Sequence, residues 1–425
     1  MSQDIELSND QKVALNTLID WWKSQSKPYI TLGGYAGCGK TTIISIFREM
    51  LHLEQPGLQV GFCAFTGKAA HVMKTKLYQN VQRDIIANDS IGTIHNLMYE
   101  PVVDAKSGEI IDWRRLPRIN VDLIIVDEAS MVTKQMFDDL CSYGIPILAA
   151  GDHGQLPPVD STKFNLMEKP DIRLETLHRF AEKDGLIKAS MMARVDGYIP
   201  FGNINDQVYK VHTKDPLVGQ FIRQKLNDFS DGIILCGFNK TRIKMNRQIR
   251  SKLFNNIDDG LTVHDKVVCL KNNKGAQGCP IYNGMIGEVI EKHNLPGCYD
   301  VKIKFNDEAF PYKGAISDEF CSEKPDMGRF VIYKNLKMYR KAKGIGDYYS
   351  VGSVIRPDNS KIYLDNFDYG YCITVHKSQG SEWGNVVVLE EQAGYWSSGE
   401  MWRRWLYTAV TRAREKLLIV SNSIK

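Results

Sequence analysis

Eight residues limit this chain more than any other segment: Gly34-Tyr35-Ala36-Gly37-Cys38-Gly39-Lys40-Thr41. They fit the pattern G-x-x-x-x-G-K-[ST]. Upstream, Tyr29 to Leu32 reads as a short strand; downstream, Thr41 to Leu53 carries apolar residues at helical spacing. In that setting the glycines let the backbone bend until successive N–H groups face one anion, and the helix N-terminus adds positive dipole. Lys40 is placed to reach the β- and γ-phosphates of a nucleotide, and Thr41 to ligate Mg²⁺. A glycine-rich turn that only started a helix would not need lysine and threonine in register.

A second acidic signal supports the first. Ile124-Ile125-Val126-Asp127-Glu128 is an apolar strand that ends in two carboxylates. Acids just past a buried parallel strand lie at the sheet edge where ligands bind. Asp127 then holds Mg²⁺ through water, and Glu128 orients or deprotonates the attacking water. Without the phosphate loop, the same pair would read as acids favouring a helix N-terminus.

The rest of the chain repeats this grammar twice. Apolar runs at Val60 to Phe65, Val121 to Val126 and Ile145 to Ala150 alternate with helices at Leu7 to Trp22 and Lys68 to Leu77. Continuous apolar runs between helices point to a parallel sheet covered on both faces. Met98 to Leu116 breaks the pattern and reads as a hairpin turned at Lys106-Ser107-Gly108. A second α/β series has strands at Ile233 to Cys236, Tyr369 to Val375, Asn385 to Leu389 and Lys416 to Val420, and helices at Lys240 to Leu253 and Trp402 to Thr411. Short alternating runs from about Thr262 to Asp365 read as a small β-barrel-like insertion. The expected organisation is residues 1–97 and 117–176 as a first domain interrupted by the hairpin at 98–116. Residues 177–261 and 366–425 form a second, interrupted by the β-rich 262–365.

Composition narrows the remaining classes only slightly. Nine cysteines include no C-x-x-C pair, which gives no zinc signature. No apolar run approaches the ~18 residues of a membrane span, and the start, MSQDIELSND, lacks the order of a secretory signal. A cytoplasmic protein is the expectation. The formal net charge of +4 neither establishes nor excludes a nucleic-acid partner.

Five further segments decide which kind of nucleotide hydrolase this is. They are Thr66-Gly67-Lys68-Ala69-Ala70, Ser90-Ile91-Gly92-Thr93-Ile94-His95 and Gly151-Asp152-His153-Gly154-Gln155-Leu156-Pro157-Pro158-Val159 in the first series. In the second they are Thr374-Val375-His376-Lys377-Ser378-Gln379-Gly380-Ser381-Glu382-Trp383 and Tyr407-Thr408-Ala409-Val410-Thr411-Arg412-Ala413-Arg414. Their order and sequence resemble the motif series of superfamily 1 helicases, in particular the RecD-like branch. The resemblance runs over nearly the whole chain and is weakest between Asp258 and Tyr363.

The resemblance implies two RecA-like parallel-sheet domains, the second carrying an SH3-like insertion, and an ATP- and Mg²⁺-dependent enzyme. It implies that Gln11 reads the adenine edge, and that Gly34, Ala36, Gly37, Cys38, Gly39, Lys40, Thr41, Thr42 and Gly380 line the nucleotide. Gln155 would sense the γ-phosphate, and Arg179 and Arg412 would reach it as arginine fingers. Thr66, Lys68, Thr93, His95, His376, Lys377 and Ser378 align with positions that contact a DNA backbone. The hairpin, with Tyr99 and Trp113 at its ends, falls where a strand-separating pin is expected; the two rings could equally pack against the first domain. Basic and aromatic residues from Arg329 to Lys343 suit base stacking or a plain solvated loop.

The implied function is a monomeric helicase moving 5′ to 3′ on single-stranded DNA and opening forked duplex, among replication or recombination proteins of a bacterium or a phage-infected cell. An ATP-dependent DNA-binding switch or assembly subunit remains the competing reading, and RNA in place of DNA stays open.

Overall fold

The computed structural model of the protein describes residues 7–103, 110–158, 164–176, 185–216, 218–220, 231–254, 260–270, 281, 283–295, 298–305, 311–317, 320, 353–355, 361–391 and 399–422. It divides into two compact units. The first comprises Met1–Ile199 with Trp396–Thr411, the second Pro200–Tyr395 with Arg412–Lys425.

The first unit opens with α1 (Asn9–Ser24). Ser8 starts it through a reciprocal capping box with Gln11, and Leu15, Leu18 and Trp21 form its buried face. Next come β1 (Tyr29–Gly34), α2 (Lys40–Glu54), β2 (Val60–Ala64), α3 (Gly67–Asn80), β3 (Ser90–Thr93) and the short α4 (Ile94–Met98). A hairpin of β4 (Tyr99–Val103) and β5 (Ile110–Arg115) interrupts the series, which resumes with β6 (Leu123–Asp127), α5 (Lys134–Cys141), β7 (Ile147–Gly151), β8 (Ile172–Leu174) and α6 (Gly185–Val195).

Six strands form one sheet in the order β3-β2-β6-β7-β1-β8, all parallel. The apolar runs are continuous because each face of this sheet is buried. Leu123 and Ile125 of β6 pack into one core with Leu18 and Phe47, while Ile124 and Val126 pack into another with Phe137 and Leu140. Each such side chain contributes roughly 1.5–3 kcal/mol of burial. An ion pair between Arg48 and Asp89, both about fully buried at 2.8 Å, is satisfied further by Leu58 O, Ile85 O and the Val60 amide. Removing either partner leaves the other charge stranded.

The second unit has its own sheet. Its strands are β9 (Gly202–Ile204), β10 (Val208–His212) and β11 (Gly232–Cys236), followed by α7 (Asn239–Phe254). Then come β12 (Lys266–Cys269), β13 (Ile286–Leu295), β14 (Cys298–Phe305), β15 (Tyr312–Ser317), β16 (Ser353–Ile355), β17 (Lys361–Asp365) and β18 (Phe367–Tyr369). β19 (Cys372–Thr374), α8 (Val375–Ser378), β20 (Trp383–Glu390) and β21 (Ala413–Ser421) complete it; α9 (Gly399–Val410) lies between the last two strands and belongs to the first unit. The α/β sheet runs β19-β11-β20-β21-β10-β9, parallel except for β9. The insertion is a seven-stranded sheet, β16-β17-β15-β14-β13-β12-β18, around Val267, Ile303, Phe305, Tyr312 and Phe367. The α/β class with a small β-rich insertion is therefore the fold.

One detail departs from the sequence reading. Tyr369 to Val375 is not one strand: Tyr369 ends β18 of the insertion sheet, and Cys372 begins β19 of the α/β sheet. Gly370 allows the crossing, since a Cβ there would stand 2.9 Å from the Val267 carbonyl carbon. The two compact units divide at Ile199/Pro200. α6 packs with α9, and Trp402 Nε1 donates to Gly197 O at 2.7 Å. Among the described residues no helix is long and apolar enough to cross a membrane.

Candidate nucleotide site

Register places the first unit's candidate residues in one row. Ala64 of β2 pairs with Thr93 of β3 and with Asp127 of β6, and Gly33 of β1 pairs with Gly151 of β7. With strands spaced ~4.8 Å, Asp127 and the phosphate loop, two strands apart, stand roughly 10 Å from each other along this edge. The edge lies beyond the carboxyl ends of the strands, where α/β sheets bind ligands.

The loop itself is shaped for an anion. Gly37 and Gly39 take φ of +86° and +81°, which side chains resist. Gly39 starts α2, and no side chain caps the helix. Its first amides are therefore left for a ligand. Lys40 Nζ is turned onto the loop's own carbonyls, Gly34 O at 2.6 Å and Tyr35 O at 3.2 Å. Gln11 is 4% exposed and braces the loop: its Nε2 donates to Cys38 O at 3.1 Å and its Oε1 accepts from Ser8 N at 3.2 Å. Asp10, beside it, accepts from the Glu175 and Thr176 amides at 3.1 and 2.9 Å. Burial would raise its carboxyl, but the hydrogen bonds from Ser8, Thr176 and Glu175 outweigh that and hold its pKa at about 2.

The two acids at the end of β6, Asp127 and Glu128, are half-buried. Asp127 Oδ1 accepts from the Glu128 amide at 2.9 Å, and Glu128 has φ +53°. A left-handed carboxylate residue is uncommon, and such strain gathers at functional turns. After β7, Asp152 is 1% and Gln155 4% exposed. Asp152 Oδ1 accepts from Gly154 N at 2.9 Å, and Gln155 Oε1 is a buried acceptor with no hydrogen-bond partner among the described residues. Burial first, then the cations Arg173, Lys40 and Arg194, depress the His153 imidazole, against an opposing push from Asp152.

Sequence reading missed the side chains around this loop. Tyr35 lies under the Arg194 guanidinium, 3.5 Å from its ring centre, and 4.2 Å from the His153 ring. Tyr407 of α9 reaches both Ala36 N and Asp152. Its presence in the Tyr407 to Arg414 segment was the available signal.

The remaining candidates are placed unevenly. Thr66 and Thr93 are helix caps, accepting from Ala69 N and Asn96 N, each at 3.1 Å. Each hydroxyl keeps a proton to donate, and both stand on the same edge as the phosphate loop. Lys68 lies in the first turn of α3. His95 stacks on Tyr99 at 5.1 Å, and the Tyr99 hydroxyl donates to Asp139 at 3.1 Å. Tyr99 is thus bolted at the hairpin's root. Arg115, opposite it, stacks on Tyr143 and donates to Asp139 O at 2.7 Å. A hollow of about 770 Å³ at this root is lined by residues that include Arg115, Arg118, Asn120 and Tyr143.

In the second unit, His376 and Lys377 sit in α8, just past β19. Ser378 is fully buried and donates to Val375 O at 2.7 Å, so here it holds the turn. Gly380 takes φ +72°. Arg412, 3% exposed, donates to Ser381 O at 3.0 Å. Arg179, the hairpin tip at 104–109, the Trp113 side chain and the stretch from Arg329 to Lys343 lie outside the described residues.

Comparison with known proteins finds relatives over most of this chain. The family described as AAA domain matches residues 6–207, and the UvrD-like helicase C-terminal domain matches residues 369–420. An ATP-dependent RecD2 DNA helicase of Deinococcus radiodurans is 26% identical over 93% of this chain, which spans 47% of that protein's length. The ATP-dependent DNA helicase dda of Enterobacteria phage T4 is 23% identical over 98% of this chain and 99% of its own. The solved structure of a Bacteroides Pif1 bound to single-stranded DNA superposes with a TM-score of 0.53 at 16% identity, covering 99% of this chain and 93% of that one; it shares the fold.

Proposed function

We propose, for a chain that belongs to the RecD-like superfamily 1 helicases, that it couples ATP hydrolysis to 5′-to-3′ movement on single-stranded DNA and opens forked duplex. One observation carries the reading. The row of loops that presents the phosphate loop, Asp127, Glu128 and Gln155 also presents Thr66, Lys68 and Thr93. Nucleotide and DNA groups that share an edge can move together.

Each residue then has a chemical task. The amides of Gly37 and of residues 39–42, with Lys40, hold the ATP phosphates, and Gln11 meets the adenine edge. Glu128 takes the proton of the attacking water, and the side-chain oxygen Oε1 of Gln155, a buried acceptor with no hydrogen-bond partner among the described residues, orients that water. Arg179 and Arg412 meet the charge that spreads over the γ-phosphoryl oxygens. The donor set, the Thr41 hydroxyl at the start of α2 and the Asp127 carboxylate at the end of β6, suits Mg²⁺, which takes few protein ligands and completes its shell from phosphate and water. Thr41 and Asp127 would hold it, and when bound it neutralises phosphate charge. Thr66, Lys68, Thr93, His95, His376 and Lys377 contact the DNA backbone without reading sequence. The hairpin, fixed at its root by Tyr99 and Arg115 on Asp139, serves as the obstacle at the fork.

The test compares two rates on one preparation: ATP hydrolysis with and without single-stranded DNA, and unwinding of a fork with a 5′ tail. Stimulated hydrolysis with unwinding is expected, and hydrolysis indifferent to DNA would favour the switch or assembly subunit. Replacing residues 104–109 by Asn-Gly should leave stimulated hydrolysis within about 2-fold and cut unwinding by ~10-fold or more, if stacking at the fork is worth ~1–3 kcal/mol per base. Unwinding near wild type would remove the pin role; a parallel collapse of hydrolysis would make the hairpin structural.

A further inference from the structure

The phosphate loop is held by more than its own helix. Tyr407, 2% exposed in α9, places its hydroxyl 3.1 Å from Ala36 N and 2.8 Å from Asp152 Oδ2. A backbone amide only donates and a carboxylate only accepts, so the direction is fixed: Ala36 N–H to the phenol oxygen, and the phenol O–H to Asp152. Burial, then the Asp152 charge, pushes the phenol's pKa well above its ordinary value, which keeps that proton in place. Asp152 passes the chain on, with Gly154 N at 2.9 Å on one oxygen and Gln155 Nε2 at 3.4 Å from the other.

The same helix grips the loop after β7 at two more points. Thr408 Oγ1 accepts from Leu156 N at 3.0 Å, and Arg404 donates to His153 O at 3.0 Å and to Gln155 O at 3.1 Å. The geometry points to Tyr407 as a positioning residue for ATP hydrolysis: its hydroxyl ties a phosphate-loop amide to the carboxylate that sets Gln155, so the state of the loop and the placement of Gln155 change together. This rests on the reading that the chain hydrolyses ATP. Packing alone would be served by phenylalanine, since the ring meets Tyr35 edge-on at 6.0 Å and needs no hydroxyl there. What the hydroxyl adds is a neutral link. A carboxylate placed directly on the Ala36 amide would set negative charge against an incoming phosphate; the phenol carries the connection and keeps the acid one bond further away. Chains of buried hydrogen bonds of this kind strengthen one another and fix a single geometry.

The experiment is a double-mutant cycle of Tyr407→Phe and Asp152→Asn, read as kcat and KM for ATP at saturating single-stranded DNA, with thermal unfolding of each variant. Tyr407→Phe should lower kcat by about 10-fold or more, because misplacing a reacting geometry is costly. KM should stay within about 3-fold, since the loop still binds. The double variant should be no slower than the slower single one, because both break one chain. A kcat within about 2-fold of wild type, losses that multiply, or variants that are unfolded at the assay temperature would each overturn the assignment. If wild-type hydrolysis ignores DNA, the motor reading fails, and the cycle is then decided on the DNA-independent rate.

Discussion

Each unit contains a parallel strand that turns into a helix, and the two turns treat negative charge in opposite ways. In the first, β1 leads through the glycine loop into α2, whose N-terminus has no side-chain cap. In the second, β11 leads through Gly237 and Phe238 into α7, and Glu391 fills the turn: its carboxylate accepts from Gly237 N at 2.7 Å and from the Thr241 hydroxyl. The acid arises in corresponding places, after the strand beside β1 in one unit and beside β11 in the other. Yet among the described residues Asp152 reaches its loop through Tyr407, whereas Glu391 bonds its turn directly. A helix start that keeps its own anion cannot take another, so one copy is left open for phosphate and its counterpart is closed by the protein.

The contrast is broken most severely at Lys40. Lys40→Ala should reduce ATP hydrolysis by ~10²–10³-fold or more, with single-stranded DNA affinity largely kept. Wild-type turnover would sink the open-loop assignment. Glu128→Gln comes next. Hydrolysis should fall by ~10²-fold with the loss of the base, while ATP still binds, which an equilibrium titration with labelled nucleotide can show. Full-rate hydrolysis with normal binding would free Glu128 of the role.

These two groups were legible because their chemistry is local. Gly34 to Thr41 and Ile124 to Glu128 are continuous in sequence and flanked by the elements they need. The strands and helices expected in the first unit fall within a few residues of their bounds for the same reason: both faces of the sheet are buried, so the apolar runs are unbroken. What escaped was short or mixed. Ile172–Leu174 is three residues with an exposed Arg173 in the middle. Val208–His212 hides a buried lysine, Lys210, neutralised by Glu390 at 2.8 Å, and reads as polar. The link from Tyr407 to Asp152 spans 255 residues, and no local pattern announces it.

A smaller effect sharpens the closed half of the comparison. Glu391→Gln should cost the second unit about 1–2 kcal/mol, the scale of a charged hydrogen-bonded cap. Denaturant unfolding measures it. KM for ATP should not move, since the lost acid served a turn that binds no nucleotide. A several-fold change in KM would mean that Glu391 belongs to the nucleotide site, and the contrast between open and closed turns would have to be withdrawn.

The smallest expected effect concerns pH, and it tests both sheet edges at once. A half-buried imidazole stands on each, His153 after β7 and His376 in α8. Burial lowers both below the ordinary 6.5, and His95 past β3 is lowered by burial in the same way. Above about 6.5 the imidazole is neutral folded and unfolded, and stability has no slope from it. Below that value the unfolded chain takes up protons that the folded chain refuses, so stability falls as pH falls toward the depressed folded values. Asp10 acts in a separate window: its support is present above the ordinary 3.8 and is lost as pH drops to about 2. Denaturant unfolding between about pH 7.5 and 5.5 therefore isolates the histidines. The wild type should lose stability across that range, and His153→Gln and His376→Gln should each flatten the loss. If the units unfold in separate steps, each substitution should flatten only the step of its own unit. A wild-type stability that does not change over this range, or variants that keep the full slope, would show that these edges carry no titrating burden and that the two imidazoles are as well solvated folded as unfolded.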